Sequence, residues 1–208
     1  MTTLPLPFMR WIGPHRTASI MKRVGSDSCA KGMTMLGASR VAAFMANLGD
    51  KFLAIVLSDL GAPFSGAMLS RAAQSIVAET GRSLVSEIFC QLGADYVARL
   101  FTGLGSERLA ALFFQLGAPF VANVFTQMGP EAVGEIYVQL QATYAGATMN
   151  TCGKEFNEEI LACLTEDFIV HEIKRMGPTF IDEMLACLSF DYNELVKQKT
   201  GKNYDELL

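Results

Sequence analysis

Histidine and charge are scarce in this sequence, and tryptophan occurs once. The two histidines, His15 and His171, stand far apart, and no Cys-x-x-Cys pair occurs among the five cysteines. That argues against a zinc site of the usual ligand spacing and against a dithiol redox centre. The odd set Cys29, Cys90, Cys152, Cys163 and Cys187 reads as small buried hydrophobes of an intracellular protein. Charged residues make up only 18% of the chain, and no basic stripe accompanies the aromatics, so nucleic acid is not an expected partner. Long apolar runs are lacking as well. Half of the residues are hydrophobic and mean hydropathy is +0.27, yet eighteen glycines and seven prolines interrupt every run. The least charged stretch, between Arg108 and Glu131, is broken by Gln115, Gly117, Pro119, Asn123 and Gln127. A bilayer span needs about twenty predominantly apolar residues, so this stretch reads as short helices instead.

Acid is missing from one end. Residues 1–49 hold Arg10, Arg16, Lys22, Arg23, Lys31 and Arg40 against Asp27 alone, although the whole chain carries a net charge of −4. An organellar targeting segment has this composition. The repeat described next already includes Ile12-Gly13 and Val24-Gly25, so a retained basic end facing an acidic partner or an anionic lipid surface is expected. The expected location is intracellular, in the cytoplasm or an organelle interior (mitochondrion or plastid), with a membrane surface nearby; secretion is not expected.

What the chain does have is a repeat. An apolar residue followed by glycine recurs every twelve residues at Ile12-Gly13, Val24-Gly25, Leu36-Gly37, Leu48-Gly49 and Leu60-Gly61. After a phase shift the spacing resumes at Thr80-Gly81 and runs through Leu92-Gly93, Leu104-Gly105, Leu116-Gly117 and Met128-Gly129. Cys152-Gly153, Met176-Gly177 and Thr200-Gly201 keep the second register, so thirteen of the eighteen glycines obey one of two registers. Chance would put about one in twelve in any one register. Inside each unit the apolar residues, as in Leu92, Val97, Leu100 and Phe101, follow helical spacing along one face. The glycine suits a left-handed helix stop, and the Pro, Ser, Asp or Glu behind it suits a helix start. Each unit therefore predicts one short helix, unstable alone because nucleation is costly and stabilised by stacking on its neighbours. The expected fold is all-α, a right-handed superhelix or α-solenoid with a 12-residue repeat that doubles to 24 towards the C-terminus.

Three expectations follow for the domain organisation. Residues 1–150 form the short-helix array, with one longer helix near 63–79, where no register glycine falls, and another from Pro130 to about Tyr144, where Gln141 stands in place of glycine. Residues 151–196 form a duplicated helix pair packed on the array, since Phe156–Phe168 aligns with Phe180–Tyr192. Residues 197–208 form a frayed polar tail.

Candidate chemistry is thin. The column Phe89, Phe101, Phe113, Phe125 and Tyr137 repeats every twelve residues and reads as a core ladder between helices. Gly103-Leu104-Gly105-Ser106 lacks the lysine and the strand of a phosphate loop. The acidic pairs Glu158-Glu159, Glu166-Asp167 and Asp182-Glu183 are explained by helix first turns. No catalytic residue, cofactor site or metal ligand is identified, and an enzyme is not expected.

The unit Leu104-Gly105-Ser106-Glu107-Arg108-Leu109-Ala110-Ala111-Leu112-Phe113 resembles those of the superhelical N-terminal domain of MgtE-type magnesium transporters and of FliG-like flagellar proteins. The resemblance covers most of residues 36–140 and implies architecture alone. The chain lacks the dense acidic surface of that family, so magnesium sensing does not carry over. The leading expectation is a non-catalytic structural or linker subunit that binds protein subunits of a larger, membrane-associated assembly. Its candidate interaction surface is Ala111, Phe114, Phe120, Asn123 and Thr126, apolar or neutral side chains expected to face outward. The alternatives are a helical binding module for an apolar small molecule (lipid or pigment), which requires a closed cavity, and a regulatory sensor domain.

Overall fold

A computed structural model describes residues 6–208, so the first five residues of the expected array lie outside the described residues. The described residues fold into fifteen helices: α1 Leu6–Val24, α2 Ser26–Leu36, α3 Ala38–Leu48, α4 Asp50–Leu60, α5 Ala62–Ala72, α6 Leu84–Leu92, α7 Ala94–Leu104, α8 Ser106–Leu116, α9 Ala118–Met128, α10 Pro130–Leu140, α11 Ala142–Cys163, α12 Glu166–Met176, α13 Pro178–Leu185, α14 Tyr192–Thr200 and α15 Tyr204–Leu207. Among the described residues no strand forms, and the β-type pairing is confined to the antiparallel bridge of Ile76 with Ser83. The architecture is an all-α solenoid.

Single residues join the helices. At Gly37 the N–H still donates to Met33 O (3.0 Å) while the carbonyl already accepts from Val41 N (3.1 Å), so one residue ends α2 and starts α3. Its φ of 77° and ψ of 161° correct the expected left-handed stop: ψ is extended, in a region open essentially to glycine. A left-handed residue curls the chain back, whereas this combination turns it sharply into a new helix. The bend is 102° between α3 and α4, and again between α8 and α9. All thirteen register glycines have positive φ. Both α1 and α11 contain the same break, at Gly13 and Gly153.

Three such bends bring the chain nearly full circle, and each helix packs on the one three units later: α1 on α4, α2 on α5, α3 on α6, α4 on α7, and onward to α10 on α12. The superhelix therefore has three helices per turn. A second periodicity sets how closely the turns approach. Five residues after each break from Gly13 to Gln141 the side chain is small and buried, as at Ala18, Ala30, Ala42, Ala98, Ala110 and Ala122. Where this residue is glycine the next turn sits directly on it: a Cβ at Gly66 would lie 2.4 Å from Gln115 Cγ, at Gly134 2.8 Å from Arg175 Cβ, and at Gly146 2.7 Å from Cys187 Cβ.

Three expectations require correction. Helix α5 stops at Ala72, so no helix spans 63–79. An eleven-residue helix is what fits between α2 and α8, and residues 73–83 instead form a turn closed by Val77 N to Arg82 O and Leu84 N to Ser75 O, both 2.8 Å. The helix expected from Pro130 to Tyr144 is broken at Gln141, which takes the glycine conformation at φ 70°. Stacking on α7 and α12 confines α10 to residues 130–140, and tertiary packing overrides the missing glycine. The tail is docked, not frayed. Leu207 is 7% exposed within the main core, and Tyr204 donates its N–H to Asn193 Oδ1 (3.0 Å) and its hydroxyl to Asp182 Oδ1 (2.8 Å). Glu87, at the start of α6, is 6% exposed and held by Arg82 (3.3 Å) and Gln91 (2.8 Å). The expected boundary at residue 150 coincides with no gap in the core, because one cluster joins Val97 to Leu207 and α11 crosses it.

Candidate functional site: the apolar lumen

A three-helix turn encloses an axis, and the helical face carrying the apolar residues points at it. Counted from each break, residues four, seven, eight and eleven positions on line this lumen, as Val41, Phe44, Met45 and Leu48 do after Gly37. Residue eight lies nearest the axis. In the C-terminal part it is the aromatic column, and the rings of Phe89, Phe101, Phe113, Phe125 and Tyr137 meet edge to face, centroids 6.1 to 6.4 Å apart. The expected core ladder is therefore present, and it plugs the axis: the cavities left beside it are only about 40 Å³ each.

The same position in the N-terminal units is Met21, Met33, Met45, Leu57 and Leu69. These unbranched or smaller side chains leave the axis open. A single cavity of about 470 Å³ runs through the first two turns, floored by Phe89 and Phe101. Five methionines line it: Met9, Met21, Met33, Met45 and Met68. Methionine is flexible and polarisable, suited to a variable apolar occupant. The polar lining is sparse. Thr17 spends its hydroxyl on Gly13 O (2.9 Å), and burial pushes the Cys29 thiol up, which keeps it neutral. Arg40 is the charged residue of the lining and its exposed side chain.

A different, polar pocket of about 20 Å³ lies in the C-terminal part, between Tyr137, Asn157, Glu172 and Tyr192. Its volume is that of about one water. Burial pushes the Glu172 carboxyl up to about 8, and burial, then the nearby Glu172, drives the Tyr192 hydroxyl upward.

The five residues of the expected interaction surface divide between two helices bent by 102°. Ala111 and Phe114 lie on α8, Phe120, Asn123 and Thr126 on α9, and all but the half-buried Phe120 are exposed. Phe114 packs against Phe156 (5.1 Å between centroids), Ala111 borders a pocket with Leu57 and Arg108, and Phe120 borders the ladder. His15 pairs with Asp59 Oδ2 (2.6 Å) and His171 with its own helix at Asp167 O (2.7 Å). Among the described residues no group of three metal-ligating side chains occurs, and no single helix is long and apolar enough to cross a membrane.

The lumen escaped the sequence reading, although its signal was present: the aromatic column continues N-terminally as methionine and leucine in the earlier register. The phase shift at residues 61–81 hid that continuity. No protein-family model, curated protein or solved structure matches this chain.

Proposed function

We propose that this chain is a non-catalytic helical binding module that carries an apolar small molecule along its axis. The observation that carries the reading is the roughly 470 Å³ cavity, walled almost wholly by methionine, leucine, valine and phenylalanine. Small-molecule sites are typically ~300–1,000 Å³, mostly apolar, with a few placed polar groups. While the cavity is unfilled its apolar walls face water, and an occupant covers them, each buried methylene contributing ~0.8 kcal/mol. The aromatic ladder supports the same reading, because the fold has a ready means of closing its axis and uses it in only one half.

The test compares wild type with a Met21→Phe/Met33→Phe/Met45→Phe variant that extends the ladder into the cavity. Titration with hexadecan-1-ol and native mass spectrometry of freshly purified protein supply the readout. Binding or a co-purified molecule in wild type, lost in a variant that still folds, is the expected result. A wild type that takes up nothing, or a folded variant that binds equally well, sinks the reading.

A second reading, a structural subunit bound to protein partners at a membrane surface, is favoured by the exposure of Trp11 (79%), Met35 (76%) and Phe114 (53%). Light scattering after size exclusion separates the two. A detergent-indifferent monomer removes the support for this second reading, and detergent-dependent self-association strengthens it.

A further inference from the structure

The chemistry of the rim narrows the occupant beyond the apolar reading, on which this inference rests. We propose that the lumen carries a single-chain amphiphile with a carboxylate head, its chain among the methionines and its head on Arg40.

The lining itself makes the first argument. Thr17 is committed to its own helix, the Cys29 thiol is held neutral by burial, and no aspartate or glutamate lines the cavity. That leaves one polar group able to meet a ligand, the Arg40 guanidinium, at the solvent-exposed rim. Arg40 takes part in none of the six ion pairs of the described residues. A guanidinium over an apolar cavity matches a carboxylate through two parallel N–H···O bonds.

Register makes the second argument. Arg40 lies three residues after its break, a position that carries a hydrogen-bond donor in three later units, Tyr96, Arg108 and Tyr144. Each reaches a main-chain oxygen of an earlier helix: Tyr96 donates to Met45 O (2.6 Å), Arg108 to Leu104 O (3.5 Å) and Tyr144 to Phe101 O (2.5 Å). Arg40 offers donors at the same position, and an anionic head supplies their acceptor.

The surrounding charge agrees. Six basic residues stand against Asp27 in residues 1–49, and Arg71 already holds Asp27 at 2.6 Å. The open half of the solenoid is thus its basic half, which draws an anion towards the rim. A cavity of about 470 Å³ accommodates one alkyl chain, on the order of 12–16 carbons, and not a two-chain lipid.

The experiment titrates the full chain with hexadecanoate, hexadecan-1-ol and hexadecyl phosphate at pH 8, in wild type, Arg40→Gln and Arg16→Gln. Arg16 occupies the same register position but does not line the cavity, so it controls for general charge. Wild type and Arg16→Gln are expected to bind hexadecanoate about ten- to a hundredfold more tightly than the alcohol. Arg40→Gln is expected to bind the two alike. Equal binding of acid and alcohol by wild type overturns the head-group inference and leaves the apolar reading standing. So does an acid preference that survives in Arg40→Gln. A preference for the phosphate overturns the carboxylate assignment, and failure of all three probes sinks the apolar reading itself.

Discussion

Gln141 is the residue at which the repeat is broken in letter and kept in shape. Eleven glycines carry the bends, and glutamine takes the twelfth at φ 70°, ψ 148°. A side chain in that region costs ~1–3 kcal/mol. Gln141→Gly is therefore expected to raise the unfolding free energy by about that amount, measured as a higher urea midpoint at unchanged slope. Glu172 is strained in another way. An unfolded carboxyl releases its proton near 4.5, while burial holds the folded one protonated up to about 8. Between those values the native state binds the extra proton, so stability falls as pH rises from 4.5 to 8 and levels off above. Glu172→Gln is expected to flatten that slope and to exceed wild type by a few kcal/mol at pH 9. Denaturant curves across pH check it, and parallel slopes for both proteins would contradict the buried acid.

At the scale of the element, eleven residues are the working length. Helices α2 to α5 and α7 to α10 all have it, because one bend, one helix and three helices per turn must return each element over the one three units before. The insertion at 73–83 shows the constraint from the other side, since the chain leaves the helix at Ala72 without a glycine and spends a turn regaining register at Ser83, whose hydroxyl caps α6 at Ser86 N. Close approach of turns is set by the small residues five positions after the breaks from Gly13 to Gln141. Ala110 is fully buried there, and Ala110→Leu is expected to cost ~1–3 kcal/mol by forcing α8 away from its neighbours. The ladder is the complementary element. Phe113 bridges Phe101 and Phe125, and Phe113→Ala is expected to cost ~3–5 kcal/mol, read by thermal unfolding.

As a whole molecule the solenoid is a filled half joined to an open half. Each unit depends on neighbours one and three units away, so stability is distributed along the array. The units around the cavity face an open axis, where those around the ladder face its packed rings. Amide exchange is therefore expected to be faster in α1–α4 than in α7–α10, with an apolar occupant slowing the former selectively. Uniform protection along the chain, with or without hexadecanoate, would speak against an open half. Leu207 docks in the filled half, in the core that includes Val97.

The sequence by itself determined the unit: a glycine every twelve residues and an apolar stripe between glycines leave no other period and no other class of fold. It determined the ladder too, because identical spacing must place Phe89 to Tyr137 on one line. Only the tertiary structure decided what that line surrounds. Whether an apolar stripe meets a neighbour, a partner or an empty axis depends on the bend between helices. That bend comes from a φ/ψ pair which glycine permits and no residue name reveals. The breaks at Ala72 and Gln141 were decided at the same level, since stacking three units apart limits helix length whatever the local residues prefer. The cavity is the sum of both effects. Methionine and phenylalanine are equally apolar letters, and they became different only once the bends had brought them to a common axis.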